Sequence, residues 1–342
     1  ADRFNKRRTL IICNISGGLS AAILGTLVVT EQVKLWHVFF FAFTLGTASA
    51  IDAPVRQSFT AEIVGDDDVA NAVSLNSANF NAGRLIGPAL SGILIANFDT
   101  GPSFLINATS YLFVIGSLFF MRSSDFFMQK KEKTLGTVRE GLRYAMARPD
   151  LYVVMALIFF ASTFGLNFQI FNALMATKEF GKGPASYGLL GTFIAVGSLT
   201  GALLSARLER FRDAKLVMKL GILFSIIVIV LSVMPTYTWY SLWLPVCGIS
   251  ALTMLISANS YVQVNSDPAV RGRVMGIYLL VFMGGTPVGS LLIGYLTEAV
   301  GTRETIALCG GFSLLMCLLI WFFFNDKVER PDDLRVSSVL GK

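Results

Sequence analysis

Charge is scarce in this sequence. Asp, Glu, Lys and Arg make up 15% of the 342 residues, while 54% are hydrophobic. A soluble domain carries about 25% charged residues, and so few charges cannot cover so apolar a chain in water. Histidine is rarer still: His37 stands alone, at the edge of an apolar run, where an interfacial role outweighs a proton relay. The four cysteines, Cys13, Cys247, Cys309 and Cys317, lie inside apolar runs and form no C-x-x-C pair. Such a set predicts neither structural disulfides nor a zinc or haem centre. No phosphate-binding G-x-x-x-x-G-K-[ST] loop occurs, so direct ATP hydrolysis by this chain is not expected. No Ser/His or Cys/His set suggests catalysis, and neither an enzyme nor a bound cofactor is expected. The formal charge of +6 raises the question of nucleic acid. The basic residues sit in short segments between apolar runs, which is the pattern of membrane topology instead.

What the sequence has in abundance is apolar runs of membrane-spanning length. A helix needs about 20 mostly apolar residues to cross the hydrocarbon core. Ten such spans are read: 9–30, 35–59, 69–98, 102–121, 151–177, 184–206, 214–235, 241–264, 273–300 and 305–325. With the N-terminus cytoplasmic, the inner segments collect 23 of the 28 Lys and Arg residues and the outer ones 4, Arg84 lying within a span. That asymmetry predicts a multi-pass protein with both ends of the chain cytoplasmic. The one long polar connection divides the chain. The expected organisation is an N-terminal helix group at 1–121, a linker at 122–150, a C-terminal six-helix group at 151–326 and a tail at 327–342. Within the linker, 134–147 reads as an amphipathic helix. Val138, Leu142, Ala145 and Met146 form its apolar stripe, and Arg139, Glu140 and Arg143 face water or headgroups. Pro88 and Ser91 in the third span are spaced like Pro287 and Ser290 in the ninth, a hint of two related halves.

Several polar residues lie where a membrane helix tolerates them poorly. Counted along the helix, Arg84 is about 27 Å from the inner loop at Asp66, and Asp52 about 20 Å from Gly65. A charge at such depth is costly and marks a functional site. Asp52 and Arg84 are therefore expected to interact and to line a translocation path. The rival pairing is local, between Asp52 and Arg56 four residues on. Asp52 is the candidate proton-coupling carboxylate, because burial favours its neutral form and a nearby arginine its ionised form. Glu62 stands at the inner end as a candidate gate or a surface residue. Among the amides, Asn76, Asn79, Asn167 and Asn259 are candidates for the path, although some must satisfy one another between helices. Gly83, Gly87, Ser91 and Gly92 are small enough to let another helix approach closely, and Pro88 removes a backbone hydrogen bond and permits a bend.

Three segments carry a resemblance. The first is Asp2-Arg3-Phe4-Asn5-Lys6-Arg7-Arg8-Thr9-Leu10, the second Asp52-Ala53-Pro54-Val55-Arg56-Gln57-Ser58-Phe59. The third opens at Asn71-Ala72-Val73-Ser74-Leu75-Asn76-Ser77 and continues to Arg84-Leu85-Ile86-Gly87-Pro88-Ala89-Leu90-Ser91-Gly92. Together they resemble the major facilitator superfamily, in its drug:proton antiporter branch of enterobactin exporters and macrolide-efflux permeases, the transmembrane secretion effectors. The resemblance implies an all-α polytopic bundle of twelve helices, of which the ten spans would be the third to twelfth, with two preceding Ala1. It implies that Asp2, Arg3, Lys6 and Arg7 belong to an inner gating loop with Asn5 in place of its usual glycine, and that Arg56, Glu62, Gly87, Pro88 and Gly92 serve gating. It further implies a monomeric, proton-coupled exporter of a drug-like molecule or siderophore in a bacterial inner membrane. Uptake by symport, or a non-transporting membrane receptor or scaffold, are the alternatives.

Overall fold

The computed structural model describes residues 5–121, 138–207, 213–267, 270–325 and 328, and only some of the side chains between 54 and 89. The described residues form helices and the short connections between them, with no strand among them. Among these residues nine helical stretches are long and apolar enough to cross a membrane, and a shorter apolar stretch, Ile86–Phe98, stands where the third span was expected. The chain divides into two compact units, Ala1–Lys133 and Thr134–Lys342.

In the first unit, α1 spans Lys6–Val29, α2 spans Leu35–Phe98 and α3 spans Thr100–Phe120. Asn5 starts α1 by accepting a hydrogen bond from the Arg8 amide at 3.1 Å, the usual service of an N-cap asparagine. His37 does related work for α2: its Nδ1 accepts from the Lys34 amide at 3.0 Å. The α1–α3 seam is close because Gly17 has no side chain. A Cβ there would lie 2.8 Å from the Tyr111 ring. The sequence predicted a loop between 59 and 69, but α2 runs through it as 64 helical residues. Residues 55–64 contain neither glycine nor proline, and a lone Gly65 costs a helix only about 1 kcal/mol. Such a helix is about 96 Å long, roughly three times the hydrocarbon thickness, so it is not one crossing. Its apolar ends, Leu35–Ala53 and Ile86–Phe98, are separated by a polar middle.

In the second unit, α4 (Val138–Ala147) precedes α5 (Pro149–Phe160), a π-turn (Ala161–Gly165), α6 (Phe168–Leu174) and a second π-turn (Met175–Glu179). Then come α7 (Pro184–Arg207), α8 (Ala214–Ser232), α9 (Tyr237–Asn265), α10 (Arg271–Gly284), α11 (Thr286–Val300) and α12 (Thr302–Phe324). The expected spans at 151–177 and 273–300 are thus each interrupted. Leu151, Leu157, Ile158, Phe171, Phe224 and Tyr240 are fully buried in one apolar core. Helices α7 and α9 meet backbone to backbone at Gly248, where a Cβ would overlap the Ile194 carbonyl and the Ser198 amide. Helices α8 and α12 meet through a buried Ser225–Ser313 hydroxyl pair at 2.9 Å. All four cysteines are buried and unbridged.

Candidate transport sites in the two helical units

In the first unit the polar residues converge on Asp52 of α2. Its Oδ2 accepts from Arg56 Nε at 2.8 Å, and its Oδ1 accepts from Asn14 Nδ2 of α1 at 3.3 Å. Asn14 is buried and also donates to the Leu10 carbonyl at 2.8 Å. The local i,i+4 pairing is therefore the one formed by Asp52 and Arg56, and Asn14 is a partner the sequence reading missed. The Arg84 and Glu62 side chains lie outside the described ones, so the expected Asp52–Arg84 contact does too. Asp2 and Arg3 also lie outside the described residues. Lys6 and Arg7 are half-buried, and Arg7 donates from Nε and Nη2 to the Leu118 and Phe119 carbonyls, at 2.6 and 2.8 Å. It caps the C-terminus of α3, where the helix leaves carbonyls unpaired and favours positive charge.

Asn76 and Asn79 are exposed on α2, Gly87 and Pro88 are half-buried and Gly92 is buried. Among the described residues, a Cβ at Gly83 or Gly87 would find no neighbour within 4 Å. Seams that do need glycine include those at Gly17, Gly197, Gly201 and Gly248. An apolar groove of about 390 Å³, lined by Ile15, Leu19, Leu105, Leu112 and neighbours, runs between α1 and α3 without a charged side chain.

In the second unit the polar cluster sits where two helices break. The first π-turn releases the helix at Leu166 and Asn167, before α6. Asn167 is buried and donates from Nδ2 to the Thr163 carbonyl at 2.8 Å. Its Oδ1 faces Ser290 Oγ of α11 at 3.5 Å, and Ser290 donates to the Thr286 carbonyl at 2.8 Å. Thr163 presses against Gly285 and Gly289, at the gap between α10 and α11. The Thr163 hydroxyl is buried and has no hydrogen-bond partner. A buried polar atom left unpaired costs about 1–3 kcal/mol, and π-turns recur at functional sites. Broken helices meeting in a bundle core are a feature of transporter binding sites.

Farther along α6, buried Asn172 accepts from Tyr240 Oη at 3.0 Å, while Asn259 of α9 is half-buried. Thr163, Ser290 and Tyr240 were not singled out as path residues. The Gly284-Gly285-Thr286-Pro287 break was readable from its residue types, whereas Ala161–Gly165 ends in one glycine and carries no comparable signal.

A third cluster lies at the start of α5. Arg148 clasps Asp150 through Nε at 2.9 Å and Nη2 at 2.7 Å, and Tyr261 Oη donates to the same carboxylate at 3.0 Å. The hydrogen bonds to Asp150 hold the Arg148 guanidinium further above its ordinary range, against the opposing effect of burial. Tyr144 Oη accepts from the Asp267 amide at 3.1 Å, and Arg273 Nη1 donates to Glu140 at 3.0 Å, so α4 is tied to the start of α10.

A family profile described as transmembrane secretion effector matches residues 1–339. The chain is 22% identical to the staphyloferrin A transporter of Staphylococcus aureus, over 96% of this chain and 83% of that protein. It is 23% identical to the enterobactin exporter EntS of Escherichia coli, over 99% of this chain and 82% of that protein. Among solved structures, the nucleoside transporter NupG superposes with a TM-score of 0.73 at 14% identity, covering 94% of this chain and 84% of that one. A bacterial homologue of the human lysosomal transporter Spinster, captured inward-facing, superposes with a TM-score of 0.68 at 16% identity, covering 96% and 86%. At such identities the structures speak for the fold alone. The full-length profile match and the shared helical bundle carry one conclusion: the chain belongs to the transmembrane secretion effector family of major facilitator transporters, and is a multi-pass membrane protein.

Proposed function

We propose that this transporter exports a siderophore-like small molecule from a bacterial cell across the inner membrane, in exchange for protons, and that it works as a monomer with both chain ends cytoplasmic. The near full-length similarity to an enterobactin exporter and a staphyloferrin A transporter supports the substrate class. The observation that carries the coupling is Asp52, a carboxylate only 18% exposed and held by Arg56 and Asn14 from two directions. Protonating it would remove the charge that holds Arg56 and turn one of its two accepting oxygens into a donor, which weakens the tie between α1 and α2. The candidate path residues are Asp52, Arg84, Asn76, Asn79, Asn167 and Asn259. The candidate gates are Asp2, Arg3, Lys6, Arg7, Arg56, Glu62, Gly87, Pro88 and Gly92. The helix groups 1–121 and 151–326, joined by the linker 122–150 and followed by the tail 327–342, are taken as the functional domains.

Vesicles containing the full chain, with an imposed proton gradient, test the reading, using enterobactin and staphyloferrin A as probes. Expected is uphill movement of at least one probe that stops with a protonophore and is lost in Asp52→Asn. Movement of equal rate with and without the gradient would overturn proton coupling. No movement of either probe would overturn the substrate class.

A further inference from the structure

Helix α4 has one face accounted for and one that is not. It ends at Ala147, and the membrane span that begins with α5 starts at Pro149. A helix joined to a span by one residue lies at the level where that span enters the bilayer. Its inward side packs on α10: Gly141 and Ala145 are buried, and a Cβ at Gly141 would lie 2.8 Å from Arg273. Glu140 and Tyr144 make the polar ties to Arg273 and Asp267. The apolar stripe read from the sequence is therefore split, because Ala145 turns inward while Leu142 and Met146 remain 46% and 65% exposed. Arg139 and Arg143 are exposed too. The pairs 139/143 and 142/146 are each one turn apart, so an arginine pair runs beside an apolar pair.

We propose that this face of α4 binds the anionic surface of the surrounding membrane. Leu142 and Met146 enter the boundary between headgroups and acyl chains, and Arg139 and Arg143 bind lipid phosphates. Charge complementarity favours lipid as the occupant: residues 122–148 hold seven basic residues against three acidic ones, at the entrance to a membrane span. Through Glu140–Arg273 and Tyr144–Asp267, the same contact fixes the start of α10 at the membrane surface.

The burial of all four native cysteines allows a single surface thiol to be labelled. Met146→Cys, carrying an environment-sensitive fluorophore, would be reconstituted as the full chain. The vesicles would be phosphatidylcholine alone, or phosphatidylcholine mixed with phosphatidylglycerol. Expected is quenching by a lipid-borne quencher that is stronger in the anionic vesicles and weakens with added salt. Arg139→Gln and Arg143→Gln should each lower the membrane-inserted population about fivefold. The salt series needs no arginine variant, so it stands even if those variants fold poorly. Quenching that is equal in both vesicle types and insensitive to salt would overturn the proposal. A label shielded from both lipid-borne and aqueous quenchers would also overturn it, by showing that protein covers this face. Failure of the transport reading would leave this result untouched, because no substrate enters the measurement.

Discussion

Two donors hold Asp52, and they differ in cost. Arg56 pairs with Asp52 from four residues along the same helix, a local arrangement that contributes about 0.3–0.5 kcal/mol. Asn14 is buried, and its amide reaches both Asp52 and the Leu10 carbonyl. Asn14→Ala should therefore destabilise the protein by about 1–2 kcal/mol, and Arg56→Ala by less. Thermal melting in detergent distinguishes the two, and equal losses would contradict this ranking. Thr163 gives the opposite case. Its hydroxyl is buried without a partner, so Thr163→Val should leave stability unchanged or raise it by up to about 1 kcal/mol. If transport falls in that variant while the melting temperature holds, the hydroxyl serves a ligand; if both hold, it is packing. At this scale the sequence was legible where a spacing rule applied, as for Asp52 and Arg56. It was not legible for Asn14, which is 38 residues away on another helix.

Helix seams follow the same logic one level up. Glycine is needed only where a neighbour stands close, and the positions that look alike in sequence differ in this respect. Gly248 faces the α7 backbone, so Gly248→Ala should push α7 and α9 apart at a cost of about 1–3 kcal/mol. Gly83 faces no described neighbour within 4 Å, so Gly83→Ala should be neutral, or stabilising by up to about 1 kcal/mol through helix propensity. Melting of the two variants side by side tests the contrast, and a destabilised Gly83→Ala would mean that another helix does approach there. Arg303 of α12 is a seam of a different kind. It donates to the Ser232 and Met234 carbonyls at the end of α8 and pairs with Glu179 at 3.1 Å. Arg303→Ala should unpin these ends, destabilise the protein by about 1–3 kcal/mol and lower its melting point. The length of the apolar runs located the helices but not these seams, because a small residue in a membrane helix looks the same whether it faces a neighbour or open space. The helical middle of α2 also escaped the reading. Charges at 62 and 66–68 suggested a loop, yet no strong breaker follows Pro54 until Pro88.

For the molecule as a whole, length and hydropathy were enough to give the class: a helical, polytopic membrane protein. The resemblance in three short segments gave the family. The placement of positive charge makes a further statement, about orientation. With 23 of 28 basic residues assigned to one side, both chain ends should lie in the cytoplasm. A C-terminal fluorescent-protein fusion should therefore fluoresce in cells and a C-terminal alkaline-phosphatase fusion be inactive; the reverse pair of results would invert the topology. What hydropathy could not convey is where a span is interrupted, since a π-turn and an α-turn use the same apolar residues.

The two π-turns of the α5–α6 segment also have a meaning in terms of descent. A π-turn is an α-helix with one residue too many, the trace of a single insertion absorbed without unfolding the turn. Removing one residue between Ala161 and Gly165 would restore an ordinary turn and leave the residues beyond it in nearly the same orientation. The extra residue is therefore felt within the turn itself, where the Thr163 hydroxyl is left without a partner, and not in the register of α6.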